Sequence, residues 1–116
     1  MKNEKTSFEQ RKNARSKSRD YYFSRTELSS LLSAYSLRVA EGDWRDYALD
    51  HSPQAAMFSI FKHAYESPML VIEKRKPRSL KDAAQFFLHD RHRTLIKTGK
   101  ITELLDYLHR MPRLVK

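Results

Sequence analysis

The chain has 116 residues, 40% of them hydrophobic and 32% charged, with 2 Gly, no cysteine and a formal net charge of +9. That length suits one hydrophobic core, the lack of cysteine excludes disulfides and thiolate metal sites, and no run approaches the roughly 20 apolar residues of a membrane span. The opening Met1-Lys2-Asn3-Glu4-Lys5 lacks the apolar stretch of a signal peptide, so a soluble cytoplasmic protein is expected.

Residues 1–20 are rich in Ser, Asn and Lys and read as a disordered basic arm ahead of one α+β domain over residues 21–116. Ser24-Arg25-Thr26-Glu27 has the spacing of a capping box, with Phe23 placed to staple onto Leu28. Leu28, Leu31, Leu32, Tyr35 and Val39 then recur at helical spacing and predict a core-facing helix over about residues 25–41, closed by Gly42 in a left-handed conformation.

Past Gly42 the period shortens to two. Tyr47, Leu49 and His51 alternate with Ala48 and Asp50, which predicts a first strand. Met57 to Lys62 and Met69 to Lys74 follow as the second and third, set off by Ser52-Pro53 and Ser67-Pro68. Both carry apolar residues on each face, so one face is expected to meet helices while the other is only partly covered. Residues 77–84 read as a loop, and Gln85 to His89 with Thr94 to Lys97 as a hairpin turned at Asp90-Arg91-His92-Arg93. Ile101, Leu104, Leu105, Leu108 and Met111 restore the helical period until Pro112. The expected fold is α+β in two layers: an N-terminal helix, an antiparallel meander of four or five strands, and a C-terminal helix.

The positive charge is clustered. Lys2, Lys5, Arg11, Lys12, Arg15, Lys17 and Arg19 fall in the arm, and Lys74, Arg75, Lys76, Arg78 and Lys81 follow the third strand. Such clusters either solubilise a chain or contact phosphates. The leading expectation is a non-catalytic binding or regulatory module with an electropositive surface for an acidic partner, nucleic acid foremost. Its candidate contacts are Lys74, Arg75, Lys76, Arg78, Lys81, Arg91 and Arg93, and convergence of these with Lys97 on one concave face would strengthen it. The rival expectation is a protein-interaction or homodimerisation module using the less covered sheet face.

Gly42-Asp43-Trp44-Arg45-Asp46-Tyr47-Ala48-Leu49-Asp50-His51, Phe58-Ser59-Ile60-Phe61 and Ile72-Glu73-Lys74-Arg75 together resemble domain-of-unknown-function family twenty-seven ninety-four. The resemblance is most specific over residues 24–76 and extends more loosely over Phe86 to Val115, including the Arg113-Leu114-Val115 ending. It implies a small alphaproteobacterial, cytoplasmic protein, and it carries over no activity and no functional residue.

Catalytic chemistry is therefore weighed on the residues alone. Asp46, Asp50 and Glu73 suggest a magnesium-dependent nuclease, but Arg75 stands where that chemistry uses a Lys, and Glu73 reads better as a solvent-facing partner for a nearby cation. His89 and His92 flank Asp90 in a turn, without the convergent third and fourth ligands that zinc takes. Gly42 and Gly99 alone build no phosphate loop, so no cofactor is expected. Trp44 is expected to lid the first helix's apolar stripe, with a recognition role as the alternative, and Tyr21, Tyr22 and Phe23 are candidates for base stacking.

Overall fold

The computed structural model describes residues 19–63, 66–79 and 81–112. Residues 1–18 of the arm expected over residues 1–20, and the ending Arg113-Leu114-Val115, lie outside the described residues. In chain order the elements are α1 (Arg25–Ala40), β1 (Asp46–His51), β2 (Ala55–Phe61), β3 (Leu70–Arg75), β4 (Gln85–His89), β5 (Thr94–Thr98) and α2 (Ile101–Arg110). The strands form one antiparallel sheet in the order β1-β2-β3-β4-β5, so the meander has five strands. β1 opens at Asp46, and β2 runs from Ala55 to Phe61 rather than from Met57 to Lys62.

Both caps of α1 follow from local chemistry. Ser24 Oγ accepts from the Glu27 amide at 3.1 Å while Glu27 Oε1 accepts from the Ser24 amide at 2.7 Å, completing the capping box. At the other end Gly42 takes φ 85, its amide donates to the Val39 carbonyl at 2.9 Å, and the Asp43 amide donates to the Arg38 carbonyl at 2.9 Å. This is a Schellman closure, which brings the side chains at positions 38 and 43 together. α2 lacks a side-chain cap at Lys100. The Thr98 hydroxyl serves instead, accepting from the Lys100 amide at 3.1 Å and donating to Glu103.

Register decides which side chains meet the helices. Leu49, Phe58, Ile72, Leu88 and Ile96 are consecutive cross-strand partners and form an apolar row across all five strands. Leu31 of α1 and Leu104 and Leu108 of α2 join that row in the core. Both helices therefore lie on one side of the sheet. A bulge at Leu88/His89 leaves Leu95 as an extra residue in β5, and Leu95 and Ile96 both pack against the core.

α1 turns inward the stripe its spacing predicts at Leu28, Leu31, Leu32 and Tyr35, and departs from it at Val39. Leu31, Ala34 and Arg38 are buried, with Leu28, Leu32 and Tyr35 packed beside them, whereas Val39 is 38% exposed. Arg38 takes the inward place at that end of the helix, and its guanidinium reaches three acceptors: Asp43 Oδ2 at 3.1 Å and the carbonyls of Leu108 and Met111 at 2.7 and 2.9 Å. Trp44 is buried as expected, with the Arg38 guanidinium 5.7 Å from its ring centroid and Tyr35 beside it. Among the described residues no helix is long and apolar enough to cross a membrane.

Candidate functional site

The pleat splits the basic run after Ile72. Lys74 shares the helix-facing side with Leu70 and Ile72, and it is buried. Its ammonium pairs with Glu27 at 2.9 Å, donates to the Tyr22 carbonyl at 3.1 Å and lies 4.9 Å from the Tyr21 ring centroid. Lys74 thus fastens the start of α1 to β3 and is no part of an exposed patch. Tyr22 packs on His51 with centroids 4.3 Å apart, and Phe23 is buried, so these aromatics cover the helix-facing end of the sheet, away from Arg75.

Arg75 faces the other way, onto the side that no helix of the described residues covers. There Asp50, Met57, Glu73, Phe87 and Lys97 are successive cross-strand partners, one from each strand. Arg75 chelates Glu73 through Nε and Nη2 at 3.0 and 3.1 Å, and its guanidinium carbon sits 4.0 Å from the Phe87 ring centroid. Lys97 approaches the same ring at 5.8 Å. With Lys76 and Arg78 from the following loop, and Gln85 beside Arg75, these residues line a cleft of about 410 Å³. Asp82 is the acid on its wall.

The remaining predicted contacts do not join the cleft. Lys81 is exposed on the same loop but is not among the lining residues. Arg91 pairs with Glu66 at 3.2 Å and donates to the Ser67 carbonyl at 3.2 Å. Arg93 is exposed in the same turn, which lies at the far end of β4, about 17 Å from Gln85 at 3.3 Å per residue. The Asp90 carboxyl that caps this turn accepts from the amides of His92 and Arg93 at 2.8 Å each, which holds its pKa below the ordinary range.

Sequence reasoning missed the polar chain that crosses the open face. His89 joins Thr94 Oγ1 at 2.8 Å through Nδ1 and Glu73 Oε1 at 2.9 Å through Nε2, and its ring stacks on Phe87 with centroids 5.7 Å apart. Hydroxyl, imidazole and carboxylate are the parts of a nucleophile relay. Here both Glu73 oxygens are already held by Arg75, and Thr94 does not line the cleft. The chain acts as a strut tying β3, β4 and β5. Glu73 is consequently half-buried rather than solvent-facing, though its partner is the neighbouring cation the sequence suggested. Asp50 and Glu73 flank Met57, about 10 Å apart at two strand spacings. Among the described residues no three His, Asp or Glu side chains group as metal ligands.

Burial raises the Glu73 pKa, but hydrogen bonds from Arg75 and His89 outweigh it and leave the carboxyl below its ordinary 4.5. A carboxyl lowered by folding adds stability that is complete above the unfolded value and is lost as pH falls through the folded one. Glu73→Gln is therefore expected to flatten the acid limb of the stability profile, with urea midpoints less dependent on pH between about 5 and 3. A variant profile parallel to the wild type over that window would contradict the network.

Fold and site define a two-layer α+β domain in which one sheet face, free of helices among the described residues, ends in a cleft lined by Arg75, Lys76, Arg78, Asp82, Phe87 and Lys97. The family model described as "Protein of unknown function (DUF2794)" matches residues 21–105, and the chain belongs to that family. The match ends inside α2, so the resemblance of the Arg113-Leu114-Val115 ending lies beyond it. No curated protein and no solved structure matches the chain.

Proposed function

We propose that the protein is a non-catalytic binding module that takes an acidic partner, nucleic acid, at the cleft beside Phe87. The observation that carries this reading is the gathering of Arg75, Lys76, Arg78 and Lys97 around one cleft. Phosphates are the natural complement of such a cluster, since Lys and Arg contacts supply most sequence-independent affinity for nucleic acid. The formal net charge of +9 favours encounter with a polyanion. Glu73 and Asp82 temper the cluster without cancelling it.

The test is binding of generic oligonucleotides across a salt series. Affinity tighter than about millimolar at low salt, falling linearly on a log–log plot as salt rises, is expected. Weaker binding, or affinity indifferent to salt, would overturn the reading. A homodimer through the open face is the second reading, supported by Met57, Phe61 and Val71, which share that face and are only half-buried. Light scattering separates the two, because a dimer built on this face would mask Arg75 and lose oligonucleotide binding as concentration rises.

A further inference from the structure

Resting on the nucleic-acid reading above, the geometry points to a single strand as the ligand, with an unpaired base stacked on the outer face of the Arg75 guanidinium. Three observations lead there. First, Phe87 is only 8% exposed, so its ring is not itself the platform. Its cover is Arg75, whose group lies 4.0 Å from the ring centroid, is fixed by two bonds to Glu73, and is 50% exposed. Half-exposed above the ring, the guanidinium can take a ligand on its outer side. Guanidinium planes accept unstacked bases, and this one is oriented before the ligand arrives.

Second, Gln85 is the cross-strand partner of Arg75 and lines the same cleft, within reach of a base edge, while Lys76, Arg78 and Lys97 surround the position that backbone phosphates would take. Third, charge across the open face is one-sided. The row that ends in Lys97 begins in Asp50, about 19 Å away at four strand spacings, and Asp46 lies on the same strand and face as Asp50. A duplex laid across that face would press phosphates onto those carboxylates and offer no base face to Arg75. The described residues also present no helix on this side to enter a groove. A single strand fits the cationic corner alone.

The experiment compares a short single strand, the same strand in a duplex, and an abasic sugar–phosphate strand of equal length, each with the wild type and with Arg75→Lys. The single strand is expected to bind the wild type about tenfold tighter than either the duplex or the abasic strand. Arg75→Lys keeps the charge but loses the plane, so the penalty for removing bases should vanish while phosphate binding persists. That penalty is a ratio within one protein, so any change in folded fraction cancels. Equal binding of normal and abasic strands by the wild type would overturn the inference and leave the polyanion reading standing. So would an undiminished penalty in Arg75→Lys. Failure of all three ligands to bind at low salt would remove both.

Discussion

Arg38→Ala is expected to destabilise the fold by about 3 to 5 kcal/mol, the range for removing one partner of a buried ion pair. The substitution takes away the guanidinium facing Asp43, which is only 2% exposed, and strips a donor from the carbonyls of Leu108 and Met111. Those carbonyls close α2, so the damage spreads from the end of one helix to the end of the other. Thermal melting reads the effect directly, at roughly 4 to 8 °C for each kcal/mol in a domain of this size. Arg38→Lys should recover only a minor part, because a single ammonium cannot span three acceptors arranged for a planar fork. A loss below about 1 kcal/mol for the alanine variant would show that the pair is solvated and that the helix ends are held by something else.

Phe58→Ala is the second large loss expected, again about 3 to 5 kcal/mol. Phe58 is fully buried in the middle of β2, between Leu49 and Ile72, with Tyr47 stacked on it at 5.0 Å and Tyr35 edge-on at 6.2 Å. Alanine leaves a cavity that strands fixed on both sides cannot close, whereas Phe58→Leu fills most of it and should cost about half as much. Urea midpoints with an unchanged slope would establish that the native state alone is affected. A cost for alanine no larger than for leucine would mean that the sheet collapses around the gap, contrary to a core pinned by the five-strand row.

How far these features were visible in the chain depends on the distance over which they are encoded. The capping box at Ser24, the left-handed Gly42 and the type of every element are written in neighbouring residues, and they appear as the spacing predicts. The inward place of Lys74 is legible in the strand period, although its neighbours disguise it. A run of like charges suggests one patch, yet the period of two that puts Leu70 and Ile72 inward must carry Lys74 inward too. The same rule sends Arg75 outward to Phe87 and Lys97, which is why part of the basic run converges as a cleft.

Arg38 was hidden for another reason. A cation in the last turn of a helix ordinarily faces water, and only the Schellman geometry that Gly42 imposes sets it against Asp43. The acceptors at Leu108 and Met111 lie some seventy residues away, beyond any local pattern. The Glu73–His89–Thr94 chain joins three strands through cross-strand register, which composition does not carry. Arg91 and Arg93 looked like part of the basic surface only because sequence gives charge without position; the length of β4 separates them from the cleft.

On the proposed function, Lys76, Arg78 and Lys97 neutralise phosphates at one site. That role is tested most directly by the salt dependence of single-strand binding, measured for the wild type and for the triple variant Lys76→Ala, Arg78→Ala, Lys97→Ala. Each lost phosphate contact on a single strand lowers the log–log slope by about 0.7, so the variant's slope should be shallower by about 2 while its melting temperature stays close to that of the wild type. A slope unchanged by the triple substitution would place the polyanion elsewhere on the molecule and contradict the account.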